Sequence, residues 1–218
     1  MVSAVDLFKD SVPYEVLVTT MDKSNRTNVS AMGVMKQQGI FLLRLFGGSN
    51  TFDNMKDLRM FGINVVHGID LIAKATLKGW GNEEPEFTDD AFEEFGGYPF
   101  LKDATAFIEC KVTDWQKQSG KDQFGPYHIA FVKATATNQN VTVPKEPMKR
   151  QDQPLVDALI MATRWKKAEG KAKANLEKVI RQLMEKSVAN FDEKTFEAVG
   201  MLETYLAGKA KTMDEMLE

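Results

Sequence analysis

Over the first two-thirds of the chain, apolar and polar residues alternate. Over the last third, apolar residues recur every three or four positions. The stretch YEVLVTTM (14–21) alternates loosely and runs into the turn-prone DKSNRTN. VSAMGVM (29–35) and IFLLRLF (40–46) follow, separated by a Gln-Gln-Gly turn at 37–39. FGINVVHG (61–68) and DLIAKATLKGW (70–80) are rich in residues that suit a pleated, half-buried surface, so both read as strands. ATAFIECKVTDWQ and GPYHIAFVKATATNQ alternate over long distances, and the Gly/Lys/Asp-containing turn between them predicts a hairpin. Helical pattern is scarce here. TFDNMKDL suits one or two turns, and TDDAFEEF (88–95) reads as a short helix with Thr88 or Asp89 as its cap. Seven strands with turn signals between them predict a barrel or a sandwich.

The pattern changes near residue 144. VPKEPMKRQDQP carries three prolines and several charges, and reads as a linker or a surface crossing. Beyond it Leu155, Leu159 and Ala162 share one helical face, and Leu176, Val179, Ile180 and Leu183 a second. Phe196, Val199 and Leu206 share a third. Gly170, VANFDEK and Gly208 supply the breaks. The expected fold is therefore mainly β with C-terminal helices: a β-barrel over 1–145, and a small helical segment over 146–218 packing on it.

Bulk properties narrow the chemistry. The 218 residues suffice for one large domain or a core domain with an appendage. A composition 43% hydrophobic and 27% charged is that of a folded globular chain. A net charge of −3 gives no global reason to bind nucleic acid or an anionic membrane. Cys110 is the lone cysteine, which excludes an intrachain disulfide framework and fits a reducing cytoplasm. The N-terminus lacks signal-peptide character, and no apolar stretch approaches the ~20 residues that span a bilayer, so a cytoplasmic protein is expected.

Several reaction classes find no support. The sequence contains neither a Walker-type phosphate loop nor a three-glycine dinucleotide fingerprint; GWG at 79–81 lacks the third glycine. His67, His128 and Cys110 have no zinc spacing, so no metal is expected, and no serine sits in a nucleophile elbow. Both histidines read as structural, Cys110 as a small buried hydrophobe, and the scattered methionines as core filling. RWKKAEGKAK (164–173) could contact nucleic acid or form the solvated ends of two helices; the negative net charge favours the latter. Arg164 lies close to the apolar face of its helix and could reach inward.

One corner carries a sharper signal. In LLRLFGGSNTFDNMK (42–56) an apolar strand bearing Arg44 stops at Gly47-Gly48, and Ser49, Asn50 and Thr51 open a helix. Backbone N–H groups, hydroxyls, a guanidinium and a helix dipole converging on one point are what a phosphate requires. Asn54 adds an amide one turn on. The same residues also suit plain turn chemistry, with Ser49 or Asn50 capping the helix and Arg44 paired to a surface carboxylate. Both readings are open at this level.

From Glu15 to Thr76 the chain resembles the first half of an FMN-binding split β-barrel, the fold of flavoredoxin-type flavin reductases. It is particularly similar to the microbial, largely archaeal family called domain of unknown function 447. The similar features come in order: a strand ending in Thr-Thr, then TNVSAMGV, an arginine-bearing strand, a Ser-x-Thr-x-x-Asn corner, and FGINVV. KRQDQPLVDALIMATRW resembles a second segment of that family, with Ala-Thr-Arg on a helix.

The resemblance implies a homodimer with FMN at the subunit boundary. Ser49, Thr51 and Asn54 would hold the phosphate, helped by Arg44 or by a basic residue of the helical part such as Arg164. Ser30, Ala31, Met32, Gly33 and Val34 would run along the isoalloxazine ring. Relatives often carry proline where Ala31 stands, which implies a less rigid backbone here. A flavin reductase-like or electron-transfer flavoprotein, reduced by NAD(P)H or a protein donor, is the implied function. The alternatives are a non-catalytic flavin-binding or sensor protein, and a nucleic-acid-binding protein using residues 164–173.

Overall fold

Six strands close on one another in the order β1 (Pro13–Met21), β2 (Thr27–Gln37), β3 (Ile40–Phe46), β8 (Gly125–Val141), β7 (Ala106–Asp122) and β4 (Met60–Val65). All neighbours are antiparallel, and β4 returns to β1 through Val18↔Ile63, so the barrel has no open edge between them. The computed structural model describes residues 2–77, 87–122, 125–187 and 192–208, with 122, 125 and 126 described by their backbone. The chain divides into two compact units, Met1–His67 with Phe87–Asp152, and Gly68–Glu86 with Gln153–Glu218.

Strand alternation builds the barrel core. Tyr14, Val16 and Val18 of β1, Phe41, Leu43 and Leu45 of β3, and Ala130, Val132 and Ala134 of β8 all point into one cluster. Successive strand side chains face opposite sides, so Leu42, Arg44 and Phe46 must lie on the outside of β3. Helix α1 (Asn50–Leu58) covers one end of the barrel. Its Met55 is fully buried and its Phe52 packs against the same core, edge-on to Trp115. Full burial of a side chain such as Met55 contributes about 1.5–3 kcal/mol through removal from water.

Turns fix the register. Gln38 and Gly39 both have positive φ, the requirement of a tight two-residue turn between β2 and β3. The β7–β8 hairpin carries register shifts between Glu109 and Cys110 and between Val112 and Asp114. Cys110 is buried and unpaired with another cysteine. Past β8, β9 (Met148–Lys149) pairs with the start of β1. Glu146 accepts a 2.7 Å hydrogen bond from the Tyr14 hydroxyl, which, with Lys149 and Lys9, holds its carboxyl below the usual range.

The helical unit contains α2 (Ile69–Thr76), α3 (Pro154–Trp165), α4 (Gly170–Ser187) and α5 (Glu193–Ala207). Leu155, Leu159 and Ala162 of α3 are buried as their spacing predicts. On α4 the buried stripe is Ile180, Met184 and Ser187, and Val179 is exposed. On α5 it is Ala198, Leu202, Tyr205 and Leu206, with Phe196 exposed. Lys173, from the basic segment, lies 4.1 Å from the centre of the Trp165 ring.

Two expectations are corrected. The segment from Asp70, read as a strand, is α2 up to Thr76; Ile69, Ile72, Ala73 and Ala75 bury at helical spacing, which outweighs their side-chain type. Residues 78–80 lie outside the described residues. TDDAFEEF is not a helix. A short 3-10 turn at Asp89–Ala91 leads into β5 (Phe92–Phe95), which pairs with β6 (Tyr98–Leu101) across Gly96 and Gly97. Both glycines have positive φ, and a Gly-Gly between short apolar runs is a hairpin signal. Thr88 makes no cap bond to the backbone; its hydroxyl donates to the Asp90 carboxylate.

Candidate cofactor site

Strand β3 delivers the chain to the corner. Leu45 turns inward and Phe46 outward, and the ladder to β8 is then extended by one bond, from the Gly47 N–H to the His128 carbonyl at 2.7 Å. A Cβ on Gly47 would stand 3.2 Å from that carbonyl oxygen, so the position is close-packed. Gly48 has φ +81°, where an L side chain is strained. Ser49 is the N-cap of α1: its Oγ accepts from the Phe52 N–H at 3.2 Å and donates to the Phe46 carbonyl at 3.0 Å. The first N–H groups of a helix find no acceptor within it, so those of Asn50 and Thr51 remain directed along the axis.

Behind the corner lies a compact polar cluster. The Thr51 hydroxyl is 2.7 Å from the Ser30 hydroxyl and accepts from the Asn28 amide at 3.0 Å. The Asn54 amide donates to the Thr20 hydroxyl at 3.1 Å, and the Asn28 amide reaches the same oxygen at 3.3 Å. Thr20 and Asn28 are register partners across β1 and β2, so one strand pair and one helix supply the whole cluster. Thr20 and Thr51 are 0% and 2% exposed, which places these hydroxyls in the interior of the cluster. Ser30, Thr51 and Asn54, named from the sequence, are thus brought together. Thr20 and Asn28 were missed. Their signal is legible in retrospect, since each continues the inward-facing period of its strand with a hydrogen-bonding group where an apolar one would end the core.

The remaining sequence-named residues divide by strand face. Met32 and Val34 point to the core side of β2, whereas Ala31 and Gly33 lie on the other face. Gly33 lines an outer groove of about 600 Å³ with Arg44, Leu42, Phe131, Lys133 and Arg150. Gly33 does not have a positive φ, and a Cβ there would meet only Arg150 Nη1 at 3.5 Å and Glu15 Oε2 at 3.7 Å. Neither backbone conformation nor crowding within the chain therefore requires glycine at this position. Arg44 is exposed and lies over the Phe46 ring, 5.4 Å from its centre, on the strand face opposite Leu43 and Leu45. Arg164 belongs to the helical unit, exposed in the last turn of α3.

Elsewhere, His67 Nε2 lies 2.9 Å from the Thr105 hydroxyl and His128 Nδ1 lies 2.8 Å from the Ser119 hydroxyl. Among the described residues no three His, Cys, Asp or Glu side chains converge as metal ligands, and no helix is long and apolar enough to cross a membrane.

Residues 14–151 match the family model described as protein of unknown function DUF447, N-terminal domain. An uncharacterized protein of Methanocaldococcus jannaschii is 30% identical over 152 residues, covering 69% of this chain and 73% of that relative. The crystal structure of an FMN-bound protein of the same family from Methanosarcina mazei superposes with a TM-score of 0.67 at 19% identity. That match covers 91% of this chain and 97% of the other. A flavin reductase domain protein from Arthrobacter is more distant, with a TM-score of 0.46 at 16% identity over 65% of this chain and 85% of that one. The fold is a split β-barrel with C-terminal helices, and the chain belongs to the DUF447 family.

Proposed function

We propose that this protein is an FMN-binding flavoprotein of the flavin reductase-like or electron-transfer kind, acting as a homodimer. The observation that carries the reading is the corner at 47–54, where the open N-terminus of a nine-residue helix is flanked by glycines and a serine hydroxyl. The adjoining strand passes from the hydroxyl of Ser30 to Gly33, which leaves its side-chain space to the Arg150 and Glu15 side chains. Those features fit FMN: a phosphate at the N–H groups of Asn50 and Thr51 and at Ser49, and a flat ring along Ser30–Val34, where Ala31 and Gly33 are small. Thr51 and Asn54 serve this site by seating α1 through their buried side chains. A relative that is FMN-bound supports the same assignment.

Bound FMN supplies hydride or single-electron chemistry, and the protein supplies orientation and electrostatics. The chain's own contribution is binding. Ser49 and the N–H groups of the helix terminus would donate hydrogen bonds to the phosphate, and strand β2 would offer backbone N–H and C=O groups to the ring edge. A ring at a barrel surface calls for a second subunit to cover it, and two-fold pairing is the commonest way to provide one. The test is direct. Purified protein should carry visible flavin absorbance, the heat-released chromophore should be FMN on chromatography, and light scattering should give twice 24.5 kDa. Release of FAD, or no flavin after reconstitution, contradicts the cofactor assignment. Anaerobic bleaching by NADH or NADPH distinguishes a reductase from a protein that only holds flavin.

A further inference from the structure

Strand β3 ends beside a histidine. The last hydrogen bond of its ladder runs from the Gly47 N–H to the His128 carbonyl at 2.7 Å, and a Cβ on Gly47 would stand 3.2 Å from the His128 Cβ. His128 is exposed, so its side chain rises from β8 next to the residue that opens the corner, and Ser49 follows two positions on. Ser119, its register partner on β7, has its hydroxyl 2.8 Å from Nδ1. Among the described residues Nδ1 has this one hydrogen-bond partner and Nε2 has none. A hydroxyl suits both forms of the ring: it accepts from the N–H of an imidazolium and donates to a bare imidazole nitrogen. A carboxylate in its place would hold the ring charged, and a backbone N–H would hold it neutral. Other charged and titratable groups lie on the elements that meet here. Lys117 and Lys121 share the Ser119 face of β7, Asp53 lies in the first turn of α1, and Arg44 and Tyr127 lie on the opposite face of β3 and β8. Among these side-chain types, histidine is the one whose charge ordinarily changes near neutral pH.

We propose that His128 makes the corner's hold on FMN depend on protonation: its imidazolium adds a positive charge beside the helix terminus and tightens FMN, and loss of that proton weakens FMN again. The role rests on the reading of the corner as the FMN phosphate site and adds the residue that regulates it. A phosphate monoester carries about 1.5 to 2 negative charges at pH 7, and Coulombic attraction acts over several ångströms without contact. The ring therefore has no need to leave Ser119 to act. Ser119 keeps it in place in both charge states, so the corner changes its charge without changing its shape. Riboflavin has no phosphate and should not feel the change.

Fluorescence-quenching titrations at pH 8 and pH 6 compare wild type, His128→Gln and His128→Lys, each with FMN and with riboflavin. The phosphate of FMN itself takes up a proton near pH 6, so the quantity read is the ratio of wild-type to variant affinity at each pH. For FMN, wild type should match His128→Gln at pH 8 and exceed it about fivefold at pH 6. For riboflavin the ratio should stay near one at both. His128→Lys, charged throughout, should bind FMN about fivefold more tightly than wild type at pH 8. An FMN ratio that is the same at the two pH values, a riboflavin ratio that moves with it, or no gain from lysine overturns the proposal. If wild type still prefers FMN to riboflavin in that case, the corner reads a phosphate and only the role of His128 fails. If none of the three proteins takes up FMN at either pH, the cofactor reading fails and the proposal with it. A lower denaturation midpoint for His128→Gln at pH 8, with equal losses for both flavins, would make His128 structural and also overturn the proposal.

Discussion

The corner at 47–54 and the groove around Gly33 are built from the same strands, β2 and β3, yet they differ in kind. The corner is a closed arrangement. Ser49 caps α1, and behind it Ser30, Thr51, Asn28, Thr20 and Asn54 satisfy one another within 3.3 Å. The groove is open and amphipathic, with Arg44 facing outward over Phe46 and with a glycine that nothing in the chain requires. Arg44 and Ser49 are five residues apart in sequence, and the two-residue period of β3 places Arg44 on the outer face of the strand before the chain turns at Gly47 and Gly48.

The largest effect expected from this contrast is on stability. Thr51→Val removes the buried hydroxyl that accepts from the half-buried Asn28 amide and pairs with Ser30, and should cost the apo-protein about 1–3 kcal/mol, read as a lower midpoint in chemical denaturation. An unchanged midpoint with a selective loss of FMN would instead put the Thr51 hydroxyl on the phosphate, as the Ser-x-Thr-x-x-Asn pattern first suggested.

The glycines sharpen the comparison next. Gly48→Ala forces an L residue to φ +81° and should cost about 1–2 kcal/mol whatever is bound. Gly33→Ala meets only ordinary contacts at 3.5 and 3.7 Å and should leave apo-protein stability within ~0.5 kcal/mol. It should nevertheless weaken flavin, because the added methyl occupies the strand face assigned to the ring. Denaturation of both apo-variants beside a flavin titration tests the pair. Destabilisation by Gly33→Ala equal to that by Gly48→Ala would make Gly33 a structural glycine.

Much of this was legible in the sequence, for identifiable reasons. Alternation found β1, β2, β3 and the β7–β8 hairpin because each strand has a core-facing side that is mostly apolar, with Thr20, Asn28 and Ser30 as polar exceptions in β1 and β2. Helical spacing found the buried Leu155, Leu159 and Ala162 of α3, but not Val156, Ala158 or Trp165. The segment from Asp70 misled because its strand-favouring side chains and its helical spacing point in opposite directions, and burial of Ile72 and Ala73 followed spacing. Gly96-Gly97 was overlooked because the acidic run before it resembles a helix start. Ser30, Thr51 and Asn54, which the structure joins in one polar cluster, were named through a pattern confined to one corner and one strand. Asn28 and Thr20 escaped because their meeting depends on strand register, which no local pattern prints.

The smallest expected effect is Arg44→Gln on the apo-protein. Exposed and without a carboxylate partner among the described residues, Arg44 should contribute under ~0.5 kcal/mol to stability. A substantial destabilisation on denaturation would mean that its stacking on Phe46 organises the end of β3.

The central claim is that the corner reads a phosphate, and riboflavin, which lacks one, supplies the control. Fluorescence-quenching titrations of wild type and Ser49→Ala with FMN and with riboflavin give four affinities and one decisive difference. The account predicts that wild type prefers FMN over riboflavin by about tenfold or more, and that Ser49→Ala lowers the FMN affinity about tenfold while barely moving riboflavin. Equal losses for both ligands, or no preference for FMN in the wild type, would show that the corner caps a helix and does not read a phosphate.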